Sequence, residues 1–486
     1  MQLSGGLWNE MGKRLCLLTL LIALLFALSC AVNPVTGQRE LMFVSESQEI
    51  EIGKEASPSL YWSYGGEFRD RELHQYLEGI VKKLWAISER PYLPMRFVVQ
   101  NTSLPNAFAL PGYVAITRGL LAELENEAQF VAVMGHEVGH VMARHTAKRI
   151  TLGQLQQFGL ILGGIMLSGS SHSDTFLRLG ALGSSLLLLK YDRSQELQAD
   201  RLGVKYMARL GYDPYEAINA HKRLQAGVNN YAKRMGVKRK GTSPFSELLS
   251  THPRHEVRVE EIKDMIAHLP PYRLKGDGRF GDRFSRHLER LKRINRVYFI
   301  YDRAVLLYNK DRLFDAEKKV KRAIDLEPEQ PPFYNLYAMI LFKRGELSRA
   351  ERYFRKALKI EKDYQPSVYG LGLVYLERND YQRALRYFKR SLRLYPSHPG
   401  SYFGLGKTYQ RLGYYSRAIR YLKPYAEYNP RHREVHGLLG ICYENTGKLK
   451  RALREYQLQV RVAPDTELGL YAQQRILVLK TLLRVR

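Results

Sequence analysis

Cysteine is nearly missing from this chain of 486 residues, which carries only Cys16, Cys30 and Cys442. Cys16 falls in an amino-terminal leader and Cys30 heads the segment behind it, so only Cys442 lies in the body of the chain. That set builds no disulfide framework, and stability has to come from buried apolar surface. Acidic residues are also short, with 48 Asp and Glu against 76 Lys and Arg, a net charge of +28. From residue 301 onward there are 37 Lys and Arg against 19 Asp and Glu, so most of the surplus sits there. Such a surface attracts anionic headgroups, acidic protein patches or nucleic acid, although much of the arginine is expected to solvate outer helix faces. A long uninterrupted apolar run is the third absence. Residues 152–189 are apolar on average, but the stretch 159–167 is short and the polar stretch 168–174 interrupts it. A membrane span needs about 20 apolar residues, so buried helices are expected there, with a loop that touches a bilayer or covers a cleft left open.

What is present begins with a leader. Met11-Gly12-Lys13-Arg14 precedes the apolar residues 15–28, the pattern of a secretory signal over 1–29. Ala27-Leu28-Ser29 before Cys30 suits an ordinary signal peptidase and also resembles an imperfect lipobox. Lipidation at Cys30 is preferred, because that cysteine is otherwise a lone exposed thiol. Ala31 at the next position would permit passage to the outer membrane of a Gram-negative cell. Secretion makes nucleic acid a poor partner.

His136-Glu137-Val138-Gly139-His140 follows the apolar residues 130–134. Residues four apart share a helix face, so His136 and His140 can offer ring nitrogens to one metal ion while Glu137 sits beside them as a base. A catalytic zinc wants three protein ligands. A local third histidine is excluded, because Ala143 and Thr146 occupy the required places and His145 is one position off register. A glutamate on a later helix is the other solution. Glu196 and Asp200, within the helical segment 191–200, are one turn apart, so Glu196 can bind the metal while Asp200 hydrogen-bonds a ligand histidine from behind. The competing reading is a solvated acidic helix face.

His-Glu-Val-Gly-His with Glu-Leu-Gln-Ala-Asp resembles the Glu-zincin peptidases related to HtpX and the CAAX prenyl protease. The chain is similar in particular to the BepA (YfgC) group, periplasmic metallopeptidases that carry tetratricopeptide repeats. Asn33-Pro34-Val35-Thr36-Gly37, Asn106-Ala107-Phe108-Ala109-Leu110-Pro111-Gly112, Thr117-Arg118-Gly119-Leu120-Leu121 and Ser250-Thr251-His252-Pro253 support the resemblance. Where members often have two glycines after that proline, Gly112 here stands alone before Tyr113. The resemblance implies a single zinc ion on His136, His140 and Glu196, Glu137 as the base and Asp200 behind the ligands. It also places His252 near the metal, either holding the enzyme latent or stabilising the oxyanion; a plain loop histidine is the alternative. Strands are expected at 95–100 and 113–117. Between them Asn106, Ala107 and Phe108 either present an edge to an extended substrate or form a buried hairpin.

The carboxy-terminal part repeats. Ala316, Ala350, Ala384, Ala418 and Ala452 recur every 34 residues, and Ala304, Ala338, Gly372, Gly406 and Gly440 follow the same register. Pro328, Pro396, Pro430 and Pro464 close four of the units. This is the period and pattern of five tetratricopeptide (TPR) helix–turn–helix repeats, a protein-binding solenoid, with a spacer as the bland alternative.

The expected fold is α+β and predominantly helical: a zincin-like metallopeptidase domain with a small β-sheet, then an all-α TPR solenoid. Its parts are a signal peptide at 1–29, a tether at 30–50, a zinc peptidase domain at 51–265 and a linker at 266–296. Five repeats at 297–466 and a capping helix at 467–486 follow. The expected function is a zinc endopeptidase of the bacterial cell envelope, periplasmic and anchored to the outer membrane as a lipoprotein. By the resemblance, its repeats recruit misassembled outer-membrane clients or the assembly machinery. The alternative is a TPR chaperone or adaptor with a latent protease site.

Overall fold

A computed structural model of the chain describes residues 30–162, 191–236 and 255–484. The leader, His252 with its loop, and most of the apolar run of 152–189 lie outside the described residues. Among the described residues no helix is long and apolar enough to cross a membrane.

The chain opens with the strand pair β1 (Cys30–Val32) and β2 (Arg39–Leu41), then helices α1 (Glu46–Ser63) and α2 (Arg71–Ala86). Strands β3 (Phe97–Gln100), β4 (Ala107–Leu110) and β5 (Tyr113–Thr117) follow, and then the short helix α3 (Arg118–Glu123). The helices α4 (Glu127–Met142), α5 (His145–Leu162), α6 (Arg193–Leu210), α7 (Glu216–Met235) and α8 (His255–Ala267) come next. The three-stranded sheet has the order β3-β5-β4, with β3 parallel and β4 antiparallel to β5. The strand expected at 95–100 starts two residues later, and 107–117 forms the hairpin whose turn is Pro111-Gly112. Gly112 takes φ +86°, a left-handed conformation that favours glycine.

Contacts divide the molecule into two compact units, which in described residues are 30–54, 67–162, 191–236 and 255–291, and then 55–66 with 292–484. In the first unit α4 packs closely against α6. Backbone meets backbone there: a β-carbon on Gly135 would lie 3.1 Å from Gly203 Cα, and one on Gly139 would lie 3.1 Å from Ala199 Cα. Glycine inside a helix costs about 1 kcal/mol against alanine, and here it permits the close approach.

Local signals set the ends of these two helices. Asn126 caps α4 by accepting from Gln129 N at 2.8 Å. Asp192 and Gln195 form a capping box at the start of α6, which places Glu196 in its first turn.

The second unit is helical. Helix α9 (Gly281–Asn309) leads into it, and the pairs follow: α10 (Leu313–Leu326), α11 (Pro331–Lys343), α12 (Leu347–Ile360), α13 (Gln365–Glu377) and α14 (Tyr381–Leu394). Then come α15 (Pro399–Arg411), α16 (Tyr415–Tyr428), α17 (Val435–Asn445), α18 (Leu449–Val462) and α19 (Glu467–Arg484), the last over the segment expected as a cap. The 34-residue alanines are all fully buried. Small residues on first helices meet large ones on second helices: a β-carbon on Gly372, Gly406 or Gly440 would fall within 2.6 Å of Phe388, Leu422 or Tyr456. These partners are themselves 34 residues apart, so one knob-and-notch contact is copied along the stack. The molecule is thus mostly helical, with small sheets in the amino-terminal part and consecutive packed helix pairs after it, as expected.

Candidate metal centre

His136, Glu137 and His140 lie on α4, and Glu196 and Asp200 lie on the facing turns of α6; all five are buried. Ligand atoms of His136, His140 and Glu196 lie within 4.8 Å of one another. His136 Nε2 and His140 Nε2 are 3.1 Å apart, and each is 3.6 Å from a Glu196 carboxylate oxygen.

Hydrogen bonds behind the rings determine which nitrogen carries the proton. His136 Nδ1 stands 2.7 Å from Asp200 Oδ1, so Nδ1–H donates to the carboxylate and Nε2 keeps its lone pair. For His140 the chain is one step longer. His145 Nε2 donates to Gln198 Oε1 at 2.9 Å, which leaves His145 Nδ1 as an acceptor for His140 Nδ1–H at 2.8 Å. His140 Nε2 is therefore also a lone pair. Two imidazole lone pairs and a carboxylate oxygen converge on one small volume, an arrangement that repels itself unless a cation sits among them. The donor set fits a borderline-soft divalent ion.

Charge around the cluster is balanced by one arginine. Arg258 on α8 reaches Glu196 Oε2 at 2.9 Å and both oxygens of Asp200, at 2.6 and 2.8 Å. Burial works to raise the Asp200 carboxyl, but the Arg258 charge and the His136 contact hold it well below the usual carboxylate range. His221 on α7 lies 3.5 Å from Asp200 Oδ1; burial and then the Arg258 charge push its pKa down to about 4. Burial likewise takes His145 to about 4, so it is a neutral acceptor. Tyr191 stacks on the His140 ring with centroids 3.9 Å apart.

A separate ion network fastens the carboxy-terminal end of α4. Arg90, fully buried, donates to the Val141 carbonyl at 3.0 Å and to Glu46 and Glu49 at 2.8 and 2.9 Å. Arg144 joins Glu49 at 3.0 Å and adopts φ +59° at the corner between α4 and α5.

The structure therefore brings together His136, Glu137, His140, Glu196 and Asp200. It adds His145, Gln198, Tyr191, His221 and Arg258, which the sequence reading did not assign. Only the helical glycines offered a signal: Gly135 and Gly139 stand four residues apart, a spacing that marks close helix packing. Asn106 leads into β4, Ala107 and Phe108 lie buried in it, and β4 packs against α4.

Comparison with known proteins agrees with this geometry. Residues 68–266 match the model of peptidase family M48, and 332–397 and 371–439 match tetratricopeptide repeat models. Mitochondrial metalloendopeptidase OMA1 of Saccharomyces cerevisiae is 31% identical over 251 residues, 48% of this chain and 68% of that protein. The chain belongs to peptidase family M48. The beta-barrel assembly-enhancing protease of Escherichia coli is 28% identical over 257 residues, 51% of this M48 chain and 50% of that protein. Among solved structures, a TPR protein of Thermus thermophilus aligns with TM-score 0.32 and 21% identity, over 37% of this chain and 99% of that one. The chain spans 65%, 54% and 41% of three further relatives, OMA1 of Schizosaccharomyces pombe and the Yersinia pestis and Vibrio cholerae assembly-enhancing proteases, the last named as putative. The M48 match carries the His-Glu-Val-Gly-His helix together with Glu196, and the repeats follow it in the chain.

Proposed function

We propose that this M48 chain is a zinc-dependent endopeptidase of the bacterial cell envelope, acting in quality control or assembly of outer-membrane proteins. The observation that carries the reading is the convergence of His136 Nε2, His140 Nε2 and a Glu196 oxygen with both imidazole lone pairs turned inward. In this reading those three residues hold one zinc ion, which when bound supplies Lewis acidity toward water and a peptide carbonyl. Glu137 takes the proton of the attacking water and passes it to the leaving amine. Asp200 fixes the His136 tautomer, and Arg258 keeps Asp200 ionised and pairs with Glu196.

Strand β4 pairs with β5 on one side, and among the described residues nothing pairs with its other side. An extended substrate adds there through backbone hydrogen bonds around Asn106, Ala107 and Phe108, a mode that tolerates many sequences and suits unfolded clients. His252 either holds the site latent or stabilises the oxyanion. Lipidated Cys30 anchors the chain to the outer membrane from the periplasmic side. The repeats gather misassembled envelope proteins or the assembly machinery, a role the name of the Escherichia coli relative supports, and no nucleic acid takes part.

The test is cleavage of casein by zinc-loaded protein starting at Cys30. Glu137→Gln is expected to keep its metal and lose cleavage. Faster cleavage by His252→Ala assigns latency to that histidine, and slower cleavage assigns oxyanion stabilisation. Absence of cleavage by every zinc-loaded form, His252→Ala included, overturns the protease reading in favour of a TPR adaptor.

A further inference from the structure

The second helices of the repeats carry two rows of cations three residues apart, the first row beginning only in the second repeat, and the rows are used differently. The first row is Arg349, Arg383, Arg417 and Arg451. Arg349 pairs with Glu346, Arg383 with Asp380 at 3.2 Å, Arg417 lies over the Tyr414 ring and Arg451 over the Tyr443 ring. These arginines fasten the turns at which each helix pair folds back.

The second row is Lys318, Arg352, Arg386, Arg420 and Arg454, one residue per repeat at a constant spacing of 34. All five are exposed, and none makes an ion pair among the described residues. Their neighbours sharpen the pattern: α14 contributes Arg383, Arg386, Lys389, Arg390 and Arg393 and contains no Asp or Glu. Packing the fold does not require this second row.

The rows stand on a grooved surface. First helices of successive repeats pack on one another, whereas second helices pack chiefly against first helices. Successive second helices therefore leave a furrow between them. Between α12 and α14 it holds a cavity of about 600 Å³ lined by Arg355, Arg386, Lys389, Arg393, Tyr375 and Tyr387 among others. Like charges gathered at a furrow raise the local potential and favour an occupant that neutralises them.

We infer that this second row is the docking surface for an extended, carboxylate-rich polypeptide segment. The row members recur once per repeat along the stack, so an extended segment can run from one to the next along the furrow. Carboxylates carried along such a segment meet the row members in turn. Four of the five are arginine, whose planar fork binds carboxylate bidentately. A bilayer surface is the weaker fit. The exposed large apolar side chains of the row's helices, Phe314 and Leu326 on α10 and Tyr428 on α16, do not line the cavity between α12 and α14, and the furrow has depth a flat headgroup plane does not fill. The inference is independent of the metal centre and of any cleavage.

The test is fluorescence anisotropy of a labelled fifteen-residue oligoglutamate peptide, titrated with the full chain at low and physiological salt. The wild type is expected to bind, with affinity falling as salt rises. Arg352→Glu/Arg386→Glu/Arg420→Glu is expected to weaken binding at least tenfold. Arg71→Glu/Lys83→Glu, which removes exposed cations elsewhere, is expected to stay within twofold of the wild type. Two results overturn the inference: binding by the triple variant within twofold of the wild type, or failure of the wild type to bind the peptide. Sedimentation with anionic phosphatidylglycerol vesicles, run in parallel, shows in the second case whether the row is instead a lipid contact.

Discussion

Replacing His145 with alanine should weaken metal binding without touching a metal ligand. His145 Nδ1 accepts the His140 Nδ1 proton at 2.8 Å, and Gln198 at 2.9 Å keeps His145 itself in the accepting tautomer. Without that acceptor His140 is free to carry its proton on Nε2, where the metal must bind, and its ring loses one orienting contact. Loss of a partner behind a ligand histidine typically costs 10- to 100-fold in metal affinity, or about 1.4–2.7 kcal/mol. The assay is competition for zinc against a chromophoric chelator, with urea unfolding of the metal-free protein alongside. His145→Asn supplies the control, because its Oδ1 falls near the position of the lost Nδ1 and can accept the same proton. His145→Ala should bind at least tenfold more weakly, and His145→Asn should recover most of the loss. Affinity within twofold of the wild type in His145→Ala, or equal weakening in both variants, would refute the relay.

Three further outcomes follow from the same structure. Arg258→Ala should destabilise the metal-free protein by about 3 kcal/mol in urea, since it strands two buried carboxylates; Arg258→Lys should not restore this, because an ammonium cannot span Glu196 and Asp200 together. Gly203→Val should cost about 1–3 kcal/mol and weaken zinc binding, because its side chain would meet the His136 backbone, which a β-carbon alone already approaches to 3.1 Å. In the repeats, burial pushes His398 down to about 4, so only the unfolded chain gains its proton as pH falls below the ordinary value of 6.5. That stability is complete above pH 7 and is lost as pH falls toward 4. Between pH 7 and 5 the wild type should therefore lose about 2 kcal/mol more than His398→Asn, a variant that keeps the cap on Ser401 N, as denaturant titrations at the two pH values will show.

How much of this was legible beforehand depends on how far apart in sequence the interacting groups lie. His136 and His140 needed one turn of helix, and the repeats needed a 34-residue period, so both could be read directly. Glu196 was legible as an acidic residue one turn from Asp200, although its distance from the histidines was not. His145 looked like a ligand that had missed its register. Its true neighbour is decided by the corner at Arg144, whose positive φ turns the chain so that His145 Nδ1 meets His140 Nδ1 at the end of α4. Arg258 is 58 residues from Asp200 and 122 from His136; among 76 basic residues, nothing local sets it apart. Among the residues packed around the metal cluster and the end of α4, the distant ones were hidden because tertiary packing alone selects them.

The glycine contact between α4 and α6 has a bearing on how finely the centre can be tuned. Most helix pairs are held apart by side chains, and side chains can change rotamer, so their spacing is elastic. Here main chain rests on main chain at Gly135, Gly139 and Gly203, which acts as a mechanical hard stop. The gap between the histidine helix and the glutamate helix is then a machined dimension, insensitive to repacking elsewhere in the core. Libraries that vary the surrounding apolar residues should change stability long before they change ligand spacing, whereas a single added methyl group at the stop should do the reverse.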